Sequence, residues 1–557
     1  MRNRRRTIVI ASMAIAIVLT VLVSYPVLAQ GRSPQVLSNS VVNEPLHADV
    51  SAPLRDYPAE PITVSSSAHA PLQPKLQQLK AAGTAAGEPL QSPVGLAGAT
   101  VGLNFEGISG DPGSPATVNC PVVSGVQLAP PDTNAAIGDT QIVQWVNICY
   151  SVYDKATGNL IAGPLPGNHF WAGFTGNVCS FRNDGDIIIQ WDKANHVWVA
   201  AQNVFNPWLT CIAVSKTADA TAAYNRYAFT QPGFPDYPKW GLTSSIYYQT
   251  QNDFGPAGNG FVGVNICAYD AVAMRAGKKN AKQVCILDNS IFDDSMLPAD
   301  TDSGSGGGGS EVLVGSIDNF NPGSNIYQYV LTVNMKKGTA TLAGTNGTMP
   351  IAVPAYNLAI CPTVPPADRP TDCVKQPSPG SDLLDTLGDR LMYRLAMFDD
   401  GTTQHFLVTH SVNDGVAVGA RWYEFTAPEG STSLSLAQSG QTPADGHYRW
   451  MGSIARDKFG DIALGYSRSS TAAGDYPSIY VSGQTAGEPA GMTDSEVLVK
   501  QGSGSQFFTG TRWGDYSSMA LDGADQCTFL YTTEYYPFDG NFQWYTWLAA
   551  VKFPSCP

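Results

Sequence analysis

The chain has 557 residues, 43% of them hydrophobic and only 14% charged, with 55 Gly and 39 Pro. That is too much apolar and turn-forming residue for a disordered polymer, and it predicts a folded, loop-rich body. The acids outnumber the bases 46 to 32 for a net charge of −14, and no basic stretch follows the first six residues. A surface that tracks phosphates has nothing to be built from, which excludes nucleic acid as a partner. The length favours several domains or one large repeat architecture over a single small domain.

Arg2 to Arg6 form a basic cluster, Thr7 to Val23 an apolar run and Val27-Leu28-Ala29 a small-residue site. This is the order of a secretory signal peptide over 1–29, cleaved after Ala29, with an uncleaved membrane anchor as the alternative. No second apolar stretch of that length follows and no Cys stands at the cleavage region to carry a lipid. We therefore expect an extracellular protein, or one in the periplasm or at the cell surface, with no stable membrane insertion after cleavage. The ten cysteines agree, because disulfides persist in oxidising compartments. They fall in adjacent couples, Cys120/Cys149, Cys179/Cys211, Cys267/Cys285, Cys361/Cys373 and Cys527/Cys556, whose local pairing would staple hairpins and loops, although spacing alone leaves the connectivity open. The absence of CxxC argues against a zinc or dithiol redox centre.

Residues 30–100 are rich in Pro, Ala, Ser and Gln, with Tyr57 as their one aromatic and a short helical patch at Leu76 to Ala82, and read as a flexible lead or propeptide. The folded body is expected over 101–557. Its short runs, such as Gln141-Ile-Val-Gln-Trp-Val-Asn147, Asp186-Ile-Ile-Ile-Gln-Trp191 and Val312-Leu-Val-Gly315, are separated by Gly, Pro, Asn and Asp, as strands are by turns. No long amphipathic helical pattern appears, which disfavours a parallel sheet with crossover helices.

A faint internal repeat sets the architecture. Arg449 to Tyr466, turning at Asp457, and Arg512 to Tyr531, turning at Asp522, each read as strand, Asp-led turn, strand. The unit recurs at Leu391 to Val408, at Ile187 to Ala201, around Asp139-Thr140, at Trp240 to Thr250 and at Val312 to Val333. With turns near 139, 192, 244, 320, 399, 457 and 522, this predicts an all-β propeller of seven blades, six being the alternative, with Trp544 to Phe553 as the last strand closing the ring. Two stacked β-sandwich domains would give the same strand content.

The strings Pro130-Pro-Asp-Thr-Asn134, Phe234-Pro-Asp-Tyr-Pro-Lys239, Leu387-Gly-Asp-Arg-Leu-Met-Tyr-Arg-Leu395, Arg449-Trp-Met-Gly-Ser453 with Ile462-Ala-Leu-Gly-Tyr-Ser467, and Arg512-Trp-Gly-Asp-Tyr-Ser517 carry a resemblance. Together, over Gly102 to Cys556, they resemble a group of large secreted bacterial proteins of sialidase-like β-propeller character. The resemblance implies a fold and no settled reaction. Sialidases carry Asp-boxes of the form S-x-D-x-G-x-T-W, whereas the turns here read Ser453-Ile-Ala-Arg-Asp457-Lys-Phe-Gly460 and Ser518-Met-Ala-Leu-Asp522-Gly523. The sialidase arginine triad would have to come from Arg390 or Arg394, Arg449 and Arg512.

In a propeller the first strand of each blade lines the axis, so polar residues at strand entries are the site candidates. They are Asp132 and Asn134; Arg182, Asp184 and Asp186; Asp236, Tyr237 and Lys239; Asp389, Arg390 and Tyr393; His447 and Arg449; and Arg512, Asp515 and Tyr516. Glycan hydrolysis needs one carboxyl group to protonate a leaving oxygen and a second group to attack or to activate water. We assign Asp515 and Asp236 as acid/base candidates, Tyr516 or Asp184 as nucleophile or base, and Arg390, Arg449, Arg512, Asp132, Tyr237 and Tyr393 as substrate-binding. The same residue types also cap turns and pair blades.

The expected function is a secreted carbohydrate-active monomer, a glycoside hydrolase on an extracellular polysaccharide or glycoconjugate, including an acidic one. A lyase using His447, Tyr448 or Tyr237 is one alternative. Another is a non-catalytic glycan- or protein-binding surface with platforms at Phe170, Trp171, Trp240, Trp513 and Tyr535. No cofactor is expected. Asp300, Asp302 and Glu311 match the first, third and twelfth positions of a calcium loop, but Gly304 and Ser305 break that pattern and a solvated Gly/Ser loop is the alternative.

Overall fold

Alternate residues along single strands bury in different cores. In Gln141–Val146, Val143 and Trp145 join a cluster with Trp171 and Trp198, while Ile142 joins another with Leu530 and Leu548. Such a strand is apolar on both faces because its sheet is covered on both sides. The computed structural model describes residues 33–58, 98–120, 129–255, 260–290, 292–304, 306, 308–316, 322–361, 371–508 and 511–557. The expected signal peptide and the helical patch at 76–82 lie outside the described residues.

The body is nearly all-β. Among the described residues seven antiparallel meanders follow one another, beginning at Asn134–Ile137, Ile188–Asp192, Phe234–Leu242, Leu297–Thr301, Leu395–Asp399, Tyr448–Arg456 and Ser518–Leu521. The fourth and fifth are joined by parallel pairing of Ala299 with Leu395 and of Thr301 with Met397. Each first strand packs beside that of the next meander, and Ser518–Leu521 returns to Asn134–Ile137. The first turns fall at the expected places except in the fourth unit. There Leu297–Thr301 is the first strand and Ser310–Gly315 the second, so the turn precedes the expected position near 320. Pro298 and the glycine run after Thr301 conceal that strand in the sequence.

The last meander is completed from the other end of the chain. Its third strand is Tyr545–Lys552, and its fourth is Thr100–Ser109, with Leu548 opposite Phe105. The expected last strand at Trp544 to Phe553 is thus present as Tyr545–Lys552, and its outer neighbour comes from the N-terminal side of the body. Gln144 of the first sheet locks this seam: its carbonyl accepts from the Ile108 N–H at 2.9 Å, and its amide donates to the hydroxyls of Thr532 and Thr546 at 3.0 and 2.9 Å.

Residues 33–58 belong to the body, which corrects the expectation of a flexible or disordered lead over that part of 30–100. Val36–Leu37 adds to the outer strand of the fourth sheet, Val41–Asn43 to that of the third and His47–Val50 to that of the second. The fully buried Arg226 grips this belt through Asp49, Nε to Oδ1 and Nη2 to Oδ2, both at 2.8 Å. Leu54 is buried beside the first two sheets.

The five expected cysteine couples are all disulfides, and no described cysteine is free. Among the described residues the single α-helix is Ala271–Arg275, and no helix is long and apolar enough to cross a membrane.

Candidate functional site

The site is built by a backbone kink that repeats at the start of the first strands. Asp132, Asp186 and Ser295 stand two residues before their strands with φ of 46°, 49° and 44°, and Tyr237 and Met451 occupy bulges in theirs with φ of 53° and 51°. Non-glycine residues held left-handed cost about 1–3 kcal/mol each and concentrate at functional sites. Tyr393 and Tyr516 stand two residues before the fifth and seventh first strands. Each meander thus has one residue at the entry level of its own first strand or at a bulge within it: Asp132, Asp186, Tyr237, Ser295, Tyr393, Met451 and Tyr516.

Around this level lies an acidic, arginine-bearing cluster. Asp132 is buried, with one carboxylate oxygen accepting from the Asp515 N–H and the other from the Asn147 amide, both at 2.8 Å. Burial and the Asp515 charge push it up to about 8. Asp186 accepts from the Tyr237 N–H at 3.2 Å and is raised well above the carboxylate range by burial and by the charges of Asp236, Asp132 and Asp515. Asp236 is pushed up to about 6 by burial and by Asp515, against the pull of Arg390 and Arg512. Arg512 pairs with Asp515, and both side chains reach solvent at 31% and 21% exposure, as the partly exposed Asp186 and Asp236 also do.

Beneath them Lys239 is held among tyrosine rings. Its Nζ lies 3.3 Å from the ring centre of Tyr237 and 4.2 Å from that of Tyr516, and donates to the Pro238 carbonyl at 3.1 Å. Burial lowers this ammonium to about 7, although Asp186, Asp515 and Asp132 pull the other way. Arg390 is clamped by Asp389, Nε to Oδ1 at 2.9 Å and Nη2 to Oδ2 at 2.8 Å, with its guanidinium 4.8 Å from the Tyr237 ring centre.

The structure therefore gathers Asp132, Asp236, Tyr237, Arg390, Tyr393, Arg512, Asp515 and Tyr516. It does not bring Asp184 or Arg449 to them. Asp184 accepts from Arg182 Nε and from the Phe205 N–H, each at 2.9 Å, and serves the second sheet. Arg449 is fully buried between Glu496 and Asp445, at 2.7 and 2.8 Å, within the sixth sheet. His447 joins that network through Asp445 and Asp475. Tyr516 offers its ring and not its hydroxyl, which donates to the Ile187 carbonyl at 2.8 Å. Phe170, Trp171, Trp240, Trp513 and Tyr535 are all buried as core and form no platform.

The sequence distinguishes Asp186 and Lys239 only as members of the wider pool of strand entries. Aligning the strand starts would have raised Asp186 above Asp184, because Asp186, like Asp132, stands two residues before its strand. The proposed calcium ligands Asp300 and Asp302 already meet cations of the chain itself: Arg394 Nη1 is 3.1 Å from Asp300, its Nη2 pairs with Asp302, and Lys193 lies 2.9 Å from Asp302. Ala135, Gln190, Asp300, Arg394 and Ser518, from five sheets, line an internal space of about 10 Å³, room for about one water, so the passage between the sheets is nearly filled there.

No protein family matches the chain, and no curated protein matches it. Solved structures do. A polysaccharide lyase described as an ulvan lyase is 11% identical with a TM-score of 0.38, covering 83% of this chain and 95% of that one. The WD40 domain of SCAP from fission yeast is 8% identical with a TM-score of 0.32, covering 74% and 82%. The Trypanosoma rangeli sialidase is 8% identical with a TM-score of 0.30, covering 65% and 54%. At these values none of them assigns an activity to the chain.

Proposed function

We propose that the chain is a secreted seven-bladed β-propeller whose axial cluster performs acid–base chemistry on an extracellular polysaccharide, as a glycoside hydrolase. The propeller reading is supported by the cyclic order of the seven first strands. Secretion is supported by the five disulfides, which persist outside reducing compartments.

The observation that carries the chemistry is the pair Asp236 and Asp515. Both reach solvent, the Asp515 charge acts on Asp236, and Asp236 is pushed up to about 6 while Arg512 holds Asp515 as an ion pair. A raised acid beside a carboxylate held in an ion pair suits hydrolysis of a glycosidic bond. Asp236 protonates the leaving oxygen, and the Asp515 carboxylate attacks the anomeric carbon or activates water. Arg512 orients acidic groups of the substrate through its N–H donors, and Arg390, its Nε and Nη2 held by Asp389, adds positive charge beside Tyr237. Burial keeps Asp132 and Asp186 protonated, and Lys239 packs against the Tyr237 and Tyr516 rings.

One observation favours a lyase as the second reading. The Tyr237 hydroxyl is buried without a hydrogen-bond partner among the described residues, burial keeps it protonated, and Arg390 lies against its ring, an arrangement suited to giving a proton to the leaving oxygen in an elimination on a uronate. The test is a panel of neutral and acidic polysaccharides, following reducing-end release and unsaturated-uronate absorbance. Hydrolysis gives the first signal alone and elimination gives both. Product formation that survives Asp515→Asn unchanged overturns the assignment.

A further inference from the structure

A second cavity, of about 240 Å³, lies between the fourth and fifth sheets and is lined by no residue of the axial cluster. A single water needs about 10–15 Å³, so this space is far larger than packing requires. Its floor is apolar, with Ala299, Val312, Met397 and Phe406, and Glu311, Thr301 and Gln404 stand around it. Glu311 and Thr301 are only 3% and 8% exposed. Even so, Glu311 Oε1 and Thr301 Oγ1 have no hydrogen-bond partner among the described residues. Two buried polar atoms without partners beside one cavity cost about 1–3 kcal/mol each unless something in the cavity meets them.

Charge narrows the class of ligand. Burial and the neighbouring Asp300 hold the Glu311 acid well above the usual carboxylate range, and Asp300 and Asp302 behind it are paired with Arg394 and Lys193. The cavity therefore presents no free countercharge for an ion. It presents a carboxylic acid, a hydroxyl and an amide above an apolar floor, which matches a molecule with hydroxyls on its edge and carbon–hydrogen bonds on its face. We propose that this cavity binds one neutral sugar residue, or a polyol of similar size, with Glu311 and Thr301 as its polar anchors. This site does not rest on the chemistry assigned to the axis.

The geometry supplies a clean variant. Gly308 lines the cavity and is exposed, and a Cβ built on it meets nothing within 4 Å. Gly308→Phe therefore places a ring at the mouth without disturbing the core. Saturation-transfer NMR on the full chain, with glycerol and the methyl pyranosides of glucose, galactose, mannose and rhamnose as probes, reads binding directly. The expected result is a signal from at least one probe that Gly308→Phe abolishes at unchanged Tm. Glu311→Gln should keep that signal, and Glu311→Leu should weaken the affinity about tenfold, the loss of one satisfied buried polar group. The part of the signal removed by Gly308→Phe should persist in Asp515→Asn, which separates this cavity from the axial site. No signal from any probe, a signal that survives Gly308→Phe, or one indifferent to Glu311→Leu overturns the proposal.

Discussion

Asp515 donates its backbone N–H to the Asp132 carboxylate at 2.8 Å across 383 residues of sequence. The bond joins the entry of the last meander to the entry of the first, so a contact between the two ends of the body also assembles the acidic cluster. Integrity of the fold and ionisation of the site are therefore linked, and pH should reveal the linkage.

Asp132 is ionised in the unfolded chain above the ordinary aspartate value of 3.8 and stays protonated in the folded protein up to about 8. A carboxyl raised in this way contributes stability that is present below the unfolded value and lost as pH rises toward the folded one. Asp132→Asn removes that dependence. The Tm of the variant minus that of the wild type should grow from pH 4 to pH 8 and level off above, as thermal melts across that range will show.

Lys239 works in the opposite sense. Its folded value of about 7 lies below the ordinary lysine value of 10.5, so its contribution is full above 10.5 and is lost as pH falls toward 7. Lys239→Met should gain Tm relative to the wild type as pH is lowered from 10.5 to 7, with a constant difference below. Parallel melting curves for the two proteins over that window would contradict the buried-ammonium account.

The belt is held by a charge pair with one buried end. Arg226 is 1% exposed at its side chain and Asp49 28%. Asp49→Ala leaves a buried guanidinium short of its partner and should cost about 2–3 kcal/mol, below the value for a fully buried pair because water reaches Asp49. Urea unfolding measures it, and a loss under 0.5 kcal/mol, the usual size of a surface change, would show that the belt is not anchored there.

At the seam a side chain has no room. A Cβ on Gly107 would fall 2.4 Å from Gln144 Oε1 and 2.6 Å from Leu548 Cδ1. Gly107→Ala should destabilise by about 1–3 kcal/mol through overpacking. Gly102, whose Cβ would meet only the Ala550 carbonyl at 3.6 Å, is the control on the same strand and should tolerate alanine.

Much of this is readable from residues alone, and the belt and the site each escape for a reason of their own. The Asp-led turns at Asp192, Asp399, Asp457 and Asp522 mark their hairpins because aspartate side chains bond the turn backbone, as Asp457 does with the N–H groups of Phe459 and Asp461. The cysteine couples followed local hairpins. The belt was illegible because strands as short as Val36–Leu37 and Val41–Asn43 carry no alternation, and their pairing is made by backbone groups that any sequence supplies. Asp184 and Asp186 look alike on paper. A left-handed φ at Asp186 delivers its carboxylate to the cluster, while Asp184 turns to Arg182.

The most direct test of the axial assignment is turnover of the polysaccharide panel by four proteins: wild type, Asp236→Asn, Asp515→Asn and Asp184→Asn. The account predicts product from at least one polysaccharide with the wild type and Asp184→Asn at comparable rates, and a loss of about 100-fold or more in the other two. Equal rates in all four, or no product and no binding of any polysaccharide by the wild type, would contradict it.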